Sequence, residues 1–184
     1  LVLEILFEDN HLIIVNKKSG ELTQGDITGD KTLGDKIKDY LKKKYNKPGN
    51  VYLGITHRLD RPTSGVIIFT KTSKALVRLN ELFKKNKIKK TYWAIVKSIN
   101  KKGPEKLENF LIKNQKQNKS YVTENSNKKA KKAILYFKTI FELQKYSLLK
   151  IKLETGRHHQ IRTQLSNIGF PIKGDLKYGF PRSN

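Results

Sequence analysis

The chain has 184 residues, 36% of them hydrophobic, which suits a folded domain and excludes a disordered tail. Its 39 lysines and arginines against 16 aspartates and glutamates give a net charge of +23, so a polyanion is the expected partner. The absence of cysteine excludes disulfides and thiolate chemistry, and no apolar run reaches the roughly 18 residues of a membrane span, which favours nucleic acid over membrane.

Hydrophobic patterning in the first half of the chain predicts four strands and two helices. The strands are expected at residues 2–7, 12–15, 51–55 and 66–69, the last of them buried. Thr32 is the predicted N-cap of the first helix, whose apolar face carries Leu33, Ile37, Tyr40 and Leu41. Thr72 or Ser73 caps the second helix, and its predicted core-facing stripe is Ala75, Leu76, Leu79, Leu82 and Phe83.

The second half is richer in strands. Residues 91–96 predict a strand with Tyr92, Ala94 and Val96 on one face and Trp93 and Ile95 on the other. Residues 100–132 are weakly patterned and predict short strands and loops, whereas 133–141 and 148–153 predict an antiparallel pair. A short helix is expected after Gly156, with Ile161, Leu165 and Ile168 buried. We therefore predict a single α+β domain over 1–184, with a mixed, mostly antiparallel central sheet flanked by a few helices.

The segment 57–65 holds the most distinctive acid of the chain. Asp60 lies near two cations, Arg58 and Arg61, which favour the ionised form of a carboxylate and can fix its orientation. Such a carboxylate can act as a nucleophile or a base. The same pattern also fits an ion pair that only stabilises a turn. A triad using Ser64 and His57 is disfavoured because Ser64 lacks the context of a nucleophile elbow.

Other charged residues leave two interpretations open. Arg157 and Arg162 are predicted at or near a helix N-terminus, where the helix dipole repels cations. A protein carboxylate or a bound phosphate would compensate them, unless both point to solvent. Lys17, in the basic segment 17–20, is expected either to meet a phosphate or to lie in a solvated turn. The histidines lack the spacing of a metal site with carboxylates, so we predict no metal site.

Together these parts suit chemistry on a nucleotide that has been extracted from its stack. An arginine can hold phosphates or fill the gap that the base leaves, and an aromatic side chain such as Tyr92 can stack on the base. A carboxylate such as Asp60 can then carry out the covalent or proton-transfer step.

The segment His57-Arg58-Leu59-Asp60 followed by Thr63-Ser64-Gly65 resembles the central motif of the RluA-type pseudouridine synthases. Three further blocks resemble the same family in the same order. They are residues 5–9 with 15–17 and Gly20, residues 90–94, and residues 155–162 with Gly174-Asp175 and Tyr178-Gly179. The resemblance thus extends over almost the whole chain.

The resemblance implies a pseudouridine synthase fold with an RNA-binding cleft, acting on uridine in rRNA or tRNA without metal or cofactor. By position, Asp60 is the catalytic aspartate, which either attacks the ribose C1′ or removes the C2′ proton to give a glycal. Arg162 pairs with Asp60, and Tyr92 stacks on the target base. Arg58 enters the RNA where the uridine has left. The expected RNA-contacting residues also include Arg157, His57 and Lys17.

Some features depart from the family pattern. Lys18 stands where the family usually has proline, and His158 replaces a small polar residue. The family usually continues beyond the last block, so we expect a chain truncated at its C-terminus. We also expect the protein to be a monomer in the cytoplasm.

Two other functions remain open: an RNA-binding module without activity, and a glycosidase-like enzyme that would need Asp175 as its second carboxylate.

Overall fold

A computed structural model describes residues 3–25, 29–99, 105–124 and 127–182. The chain divides into two compact units, residues 1–87 and 88–184, here called the N-terminal and C-terminal units. The start of the predicted first strand and residues 100–104 and 125–126 of the weakly patterned segment lie outside the described residues. The expectation that residues 1–184 form one catalytic domain stays a prediction.

The N-terminal unit is a four-stranded antiparallel sheet with two helices. Its strands are β1 (Ile5–Glu8), β2 (Leu12–Lys17), β3 (Gly54–Ile55) and β4 (Gly65–Thr70), in the spatial order β1-β2-β4-β3. The helices are α1 (Leu33–Lys44) and α2 (Ser73–Lys84). Inward residues of β2 and β4 form the core with α1, and the buried members are Ile13, Val15, Val51, Ile67, Phe69, Leu33, Ile37 and Leu41.

The C-terminal unit is a five-stranded antiparallel sheet with one helix on one of its faces. Its strands are β5 (Lys90–Lys97), β6 (Glu105–Asn114), β7 (Lys119–Thr123), β8 (Lys131–Glu142) and β9 (Tyr146–Leu153), in the order β5-β9-β8-β6-β7. The helix is α3 (Gln160–Asn167), and its Leu165 joins the core of Ala94, Val96, Ile99, Leu135, Phe137, Leu149 and Ile151. A 3-10 turn at Leu176–Tyr178 follows.

The α+β class with antiparallel sheets is confirmed. Thr32 caps α1 through a capping box with Asp35, and Thr72 caps α2, as predicted. Alternation along β5 and β9 also holds, because Ala94, Val96, Leu149 and Ile151 are buried. Of the residues described, no helix is long and apolar enough to cross a bilayer.

Three local predictions were wrong. The strand expected at 51–55 is reduced to Gly54–Ile55. The strand β4 buries one face only, since Val66 is exposed while Ile67 and Phe69 are buried. The apolar stripe of α2 was expected to face the core, but no residue of this helix is buried and Leu82 is exposed. Amphipathic spacing thus identified the helix but not the depth of its contact.

A buried carboxylate ties β1 to the end of α1 and to the residue after β4. The side chain of Glu8 is 8% exposed and accepts four hydrogen bonds, from Tyr40 Oη (2.9 Å), Lys44 Nζ (2.8 Å), Tyr45 Oη (2.7 Å) and Lys71 Nζ (2.8 Å). Burial by itself would raise the pKa of Glu8, but the hydrogen bonds outweigh it and lower that pKa from 4.5 to about 2.

We expect Glu8→Gln to lower the free energy of unfolding at pH 7 by about 2 kcal/mol, after discounting the shift for the exposure of Lys44. A carboxylate whose pKa is lower in the folded state stabilises above its unfolded pKa, and this contribution is lost as pH falls from 4.5 towards 2. Urea unfolding at pH 7 and pH 3 measures it. Glu81→Gln, which alters an exposed pair with Lys85, is the control and should change stability by less than about 0.5 kcal/mol.

Candidate active site

The loop that carries Asp60 begins where β3 ends. Two side chains then take over the backbone pairing of Ile68 on β4: Thr56 Oγ1 donates to the Ile68 carbonyl (2.8 Å), and the Ile68 N–H donates to His57 Nε2 (3.1 Å). The chain can therefore leave the sheet while the backbone N–H and carbonyl of Ile68 keep hydrogen-bond partners. His57 Nε2 must be an acceptor, and its ring lies 5.1 Å from that of Phe83. His57 thus supports the base of the loop, and its contact with RNA stays a prediction.

The backbone of the Asp60 loop is held at every carbonyl from Leu59 to Thr63. The donors are Thr23 Oγ1 to Leu59 (3.2 Å), the Thr63 N–H to Asp60 (3.0 Å), the Gly20 N–H to Arg61 (2.8 Å), Ser19 Oγ to Pro62 (2.8 Å), and Lys17 Nζ to both Arg61 (3.0 Å) and Thr63 (2.6 Å). All donors but Thr63 come from residues 17–23, a segment that starts with the last residue of β2. Two segments distant in sequence therefore fix the position of Asp60.

The loop closes at a glycine. Gly65 has φ +137°, a conformation that side chains with a Cβ rarely adopt, and it starts β4. This explains why glycine follows Thr63 and Ser64 in the motif.

Lys17 has a different place from the one predicted. It is 0% exposed, and its ammonium donates to the carbonyls of Lys18 (3.1 Å), Arg61 and Thr63, which uses all three hydrogens. Burial lowers the pKa of Lys17, and the carboxylates of Glu21 and Asp60 oppose that shift. Lys17 thus supports the backbone of the loop, and its expected contact with RNA stays a prediction. Strand alternation was the missed signal, because Lys17 continues the inward series of β2.

The two arginines beside Asp60 differ in their surroundings. Arg61, to which the sequence assigned no role, donates from Nε to the Gly20 carbonyl (3.1 Å) and from a terminal nitrogen to Asp30 Oδ2 (2.8 Å). Its exposed ion pair contributes little energy but links the loop to the segment before α1. Arg58 is exposed, as an RNA-facing residue must be, and its role stays a prediction.

In the C-terminal unit, Tyr92 lies on β5 opposite Ile151 and borders the core, half-buried. The next residue, Trp93, points to the other face and is 70% exposed. The period-2 prediction for this strand is confirmed, and the core face is the one that carries Tyr92.

Arg162, on α3, is held by an acid and an aromatic ring. Its Nε donates to Asp175 Oδ2 (2.6 Å) and a terminal nitrogen donates to Asp175 Oδ1 (2.9 Å). The guanidinium also lies over the Tyr178 ring, 4.8 Å from its centre. A protein carboxylate thus compensates this cation, which was one of the two predicted possibilities. The expected pairing of Arg162 with Asp60 stays a prediction.

Asp175 and Tyr178 hold Arg162, a role that the sequence did not predict: Asp175 was expected as a turn residue or as the second carboxylate of a glycosidase. The side chain of Asp175 is 10% exposed, and Tyr178 is buried. Their spacing was the available signal, since the third block of the resemblance includes both.

The hydroxyl of Tyr178 joins α3 to β7. It accepts the Ser120 N–H (2.8 Å) and lies 2.9 Å from His159 Nδ1, to which it can donate. Burial raises the pKa of the Tyr178 phenol. His159 has φ +51° at the start of α3, and its ring stacks on that of His158 at 3.7 Å. His158 Nδ1 lies 2.8 Å from Ser120 Oγ, so the unusual histidine of this chain belongs to the same network.

We expect Tyr178→Phe to reduce the free energy of unfolding by about 2 kcal/mol, because the buried Ser120 N–H loses its acceptor while the ring stays over Arg162. Thermal unfolding followed by circular dichroism measures the change. Tyr121→Phe is the matched control, because its hydroxyl bonds Gln117 at an exposed site, and its effect should stay below about 0.5 kcal/mol. Equal effects of the two substitutions would contradict the assigned role.

Gln160 organises the turn that presents Arg157. Its Oε1 accepts the Arg157 N–H (3.0 Å) and Thr155 Oγ1 (2.8 Å), and its Nε2 donates to the Ile134 carbonyl (3.0 Å) on β8. Arg157 itself is exposed, with its Nε donating to the Lys132 carbonyl (2.8 Å). Within the described ranges, no three His, Asp or Glu side chains gather as metal ligands would.

Comparison with known proteins gives consistent matches. The sequence profile of the family described as RNA pseudouridylate synthase matches residues 11–167. Ribosomal large subunit pseudouridine synthase C of Buchnera aphidicola (Acyrthosiphon pisum) is 37% identical over 179 residues, which cover 97% of this chain and 55% of that protein. Ribosomal large subunit pseudouridine synthase D of Borreliella burgdorferi is 34% identical, over 95% of this chain and 54% of that protein.

The chain thus spans about half the length of the curated relatives it matches. Among solved structures, human RNA pseudouridylate synthase domain containing 4 has the same fold, with a TM-score of 0.80 at 24% identity, over 95% of this chain and 68% of that one. Because the family profile and the relatives cover most of its length, the chain belongs to the RNA pseudouridylate synthase family.

Proposed function

We propose that this chain converts uridine in RNA to pseudouridine, with Asp60 as the catalytic carboxylate. The observation that carries the proposal is the restraint on the Asp60 loop, whose carbonyls from Leu59 to Thr63 all accept hydrogen bonds. A carboxylate in a simple turn does not need such restraint. A nucleophile or base must be held within about 0.5 Å of its productive position.

The reaction is an isomerisation that needs no oxidant or reductant. The bond between C1′ and N1 breaks, the base turns, and a bond between C1′ and C5 forms. C5 loses its proton and N1 gains one, so the atoms balance. Asp60 has two possible parts, attack on C1′ or removal of the C2′ proton to give a glycal, and both require an ionised carboxylate.

The other residues act on position and charge. Tyr92 stacks on the target base from β5. Arg162 offsets the charge of Asp60 in the assembled site. Arg58 fills the gap left by the flipped uridine, which offsets part of a flipping cost of a few kcal/mol. Arg157 and the net charge of +23 add affinity for phosphates that falls with salt.

The substrate class that we propose is rRNA or tRNA, met in the cytoplasm by a monomer. Relatives of this chain include enzymes named for the ribosomal large subunit and one named tRNA pseudouridine synthase C, of Pectobacterium carotovorum.

Tritium release tests the function. RNA transcripts labelled at uridine C5 with tritium are incubated with the protein, and we expect tritium to pass into water as C5 loses its proton. Pseudouridine mapping of the same RNA then identifies the site. Binding of rRNA and tRNA without release from either would favour the inactive RNA-binding module.

A glycosidase-like activity would release free uracil from the RNA instead. It is disfavoured because both oxygens of Asp175, its candidate acid, accept hydrogen bonds from Arg162. Chromatography of the supernatant distinguishes uracil from tritiated water.

A further inference from the structure

The sheet of the C-terminal unit has a second face, opposite the one that packs on α3. Trp93 on β5 and Tyr136 on β8 belong to it, and they are 70% and 40% exposed. Their neighbours in sequence point the other way, into the core: Ala94 follows Trp93, and Leu135 and Phe137 flank Tyr136. We call this surface the outer sheet face, defined by Trp93, Tyr136 and the lysines beside them.

Strand register places a lysine next to each ring. Trp93 lies opposite Lys150 on β9, and Lys150 lies opposite Lys138 on β8. Tyr136 lies between Lys152 on β9 and Lys106 on β6. Two strand spacings and one two-residue step separate the rings, which puts them about 12 Å apart. Trp93 therefore has one lysine beside it, and Tyr136 has a lysine on each side.

The outer sheet face is strongly positive. The register and the alternation along the strands place on it the lysines 97, 106, 132, 138, 150 and 152 and the glutamates 108 and 154. Glu108 binds Lys106 and Lys132, so much of the acidic charge is engaged at one side, away from Trp93. Lysine is depleted at protein–protein interfaces, which disfavours a protein as the occupant of this face.

We propose that the outer sheet face binds single-stranded RNA, with unpaired bases stacking on Trp93 and Tyr136 while the flanking lysines contact phosphates. Aromatic platforms within a basic surface bind single strands in this way, because every base has a face that can stack. The choice of RNA as the polyanion rests on the proposed function. The face is formed by the side of β5 opposite Tyr92, so it would hold a part of the RNA other than the target base.

The sequence contains one tryptophan, so Trp93 fluorescence reports on this face alone. The probe is a 12-nucleotide oligouridylate, labelled at one end so that anisotropy measures binding separately. We expect saturable quenching of Trp93 that requires more oligonucleotide as salt rises. Tyr136→Ala should weaken binding about ten-fold, and Trp93→Ala should do the same by anisotropy, whereas Trp93→Phe should stay within about three-fold.

A matched pair of lysines tests whether position matters beyond charge. Lys150→Gln, beside Trp93, should weaken binding about five-fold at low salt, whereas Lys128→Gln, in the turn before β8, makes the same charge change and should weaken it less than two-fold. Equal losses would overturn the proposal, because they would indicate a diffuse electrostatic effect.

Two other outcomes would also overturn it. The first is oligouridylate binding by anisotropy with unchanged Trp93 emission. The second is self-association of the protein through Trp93, seen by sedimentation as a dimer that Trp93→Ala abolishes. Tritium release separates this inference from the proposed function. Tritium release without quenching of Trp93 would refute RNA binding by the outer sheet face and leave the proposed function standing. Quenching of Trp93 without tritium release would support RNA binding by this face and count against the proposed function.

Discussion

Asp60→Asn should reduce tritium release from labelled RNA by at least about 10³-fold while changing the dissociation constant for RNA by less than about two-fold. The amide is nearly the same size as the carboxylate but is neither a nucleophile nor a base. The loop should keep its shape, because the hydrogen bonds from Lys17, Ser19 and Thr23 end on its backbone carbonyls. Single-turnover kinetics at saturating protein isolates the chemical step.

Asp30→Asn is the matched control for this substitution. Asp30 pairs with Arg61 at the surface, and loss of an exposed ion pair costs little, so tritium release should stay within about two-fold of the unmodified protein. Release by Asp60→Asn at more than a tenth of the normal rate would refute the catalytic role. It would return Asp60 to the alternative of an ion pair that only stabilises a turn.

The comparison between the two residues also tests the mechanism of positioning. Both aspartates lie near Arg61, but only Asp60 lies in the loop whose carbonyls accept hydrogen bonds from residues 17–23. A large effect at Asp60 with a small one at Asp30 would therefore follow from the role of the side chain and not from the loss of a charge near Arg61.

Local signals predicted what depends on local sequence. Thr32 and Thr72 were found as caps because a helix start needs an acceptor for its first N–H groups, wherever the helix packs. The inward positions of Leu149 and Ile151 followed from alternation along a strand. The importance of Asp60 followed from its neighbours in sequence and from the resemblance.

The features that the sequence did not show depend on contacts between distant segments. Alternation along β2 points Lys17 inward, but the carbonyl groups that accept its hydrogen bonds lie about 45 residues away, where no local pattern shows them. Pairing of Asp175 with Arg162 joins a turn to a helix in the same way. The ten-residue strand β6 was predicted only as part of a segment of short strands and loops, because its apolar run Phe110–Ile112 is short and lies among charged and polar residues. Sequence alone therefore found the acid and missed the residues that hold it.

Lys17→Met should lower the free energy of unfolding by about 3 kcal/mol and reduce the turnover rate about 100-fold with little change in KM. Met fills a similar volume but donates no hydrogen bond, so the Thr63 carbonyl loses this donor, whereas the carbonyls of Lys18 and Arg61 keep the N–H groups of Glu21 and Gly20. A displacement of about 1 Å in the loop is enough for a rate loss of this size. A fall in kcat without a rise in KM would identify Lys17 as a positioning residue that does not bind RNA directly.

Lys18→Met is the control, since it makes the same chemical change one residue later at an exposed position. Its stability should change by less than about 0.5 kcal/mol and its turnover rate by less than about two-fold. Because the two variants carry the same net charge, any loss of general electrostatic affinity for RNA cancels between them. A higher KM with unchanged kcat in Lys17→Met would instead indicate that Lys17 contacts RNA directly. Its ammonium group would then have to become exposed when RNA binds.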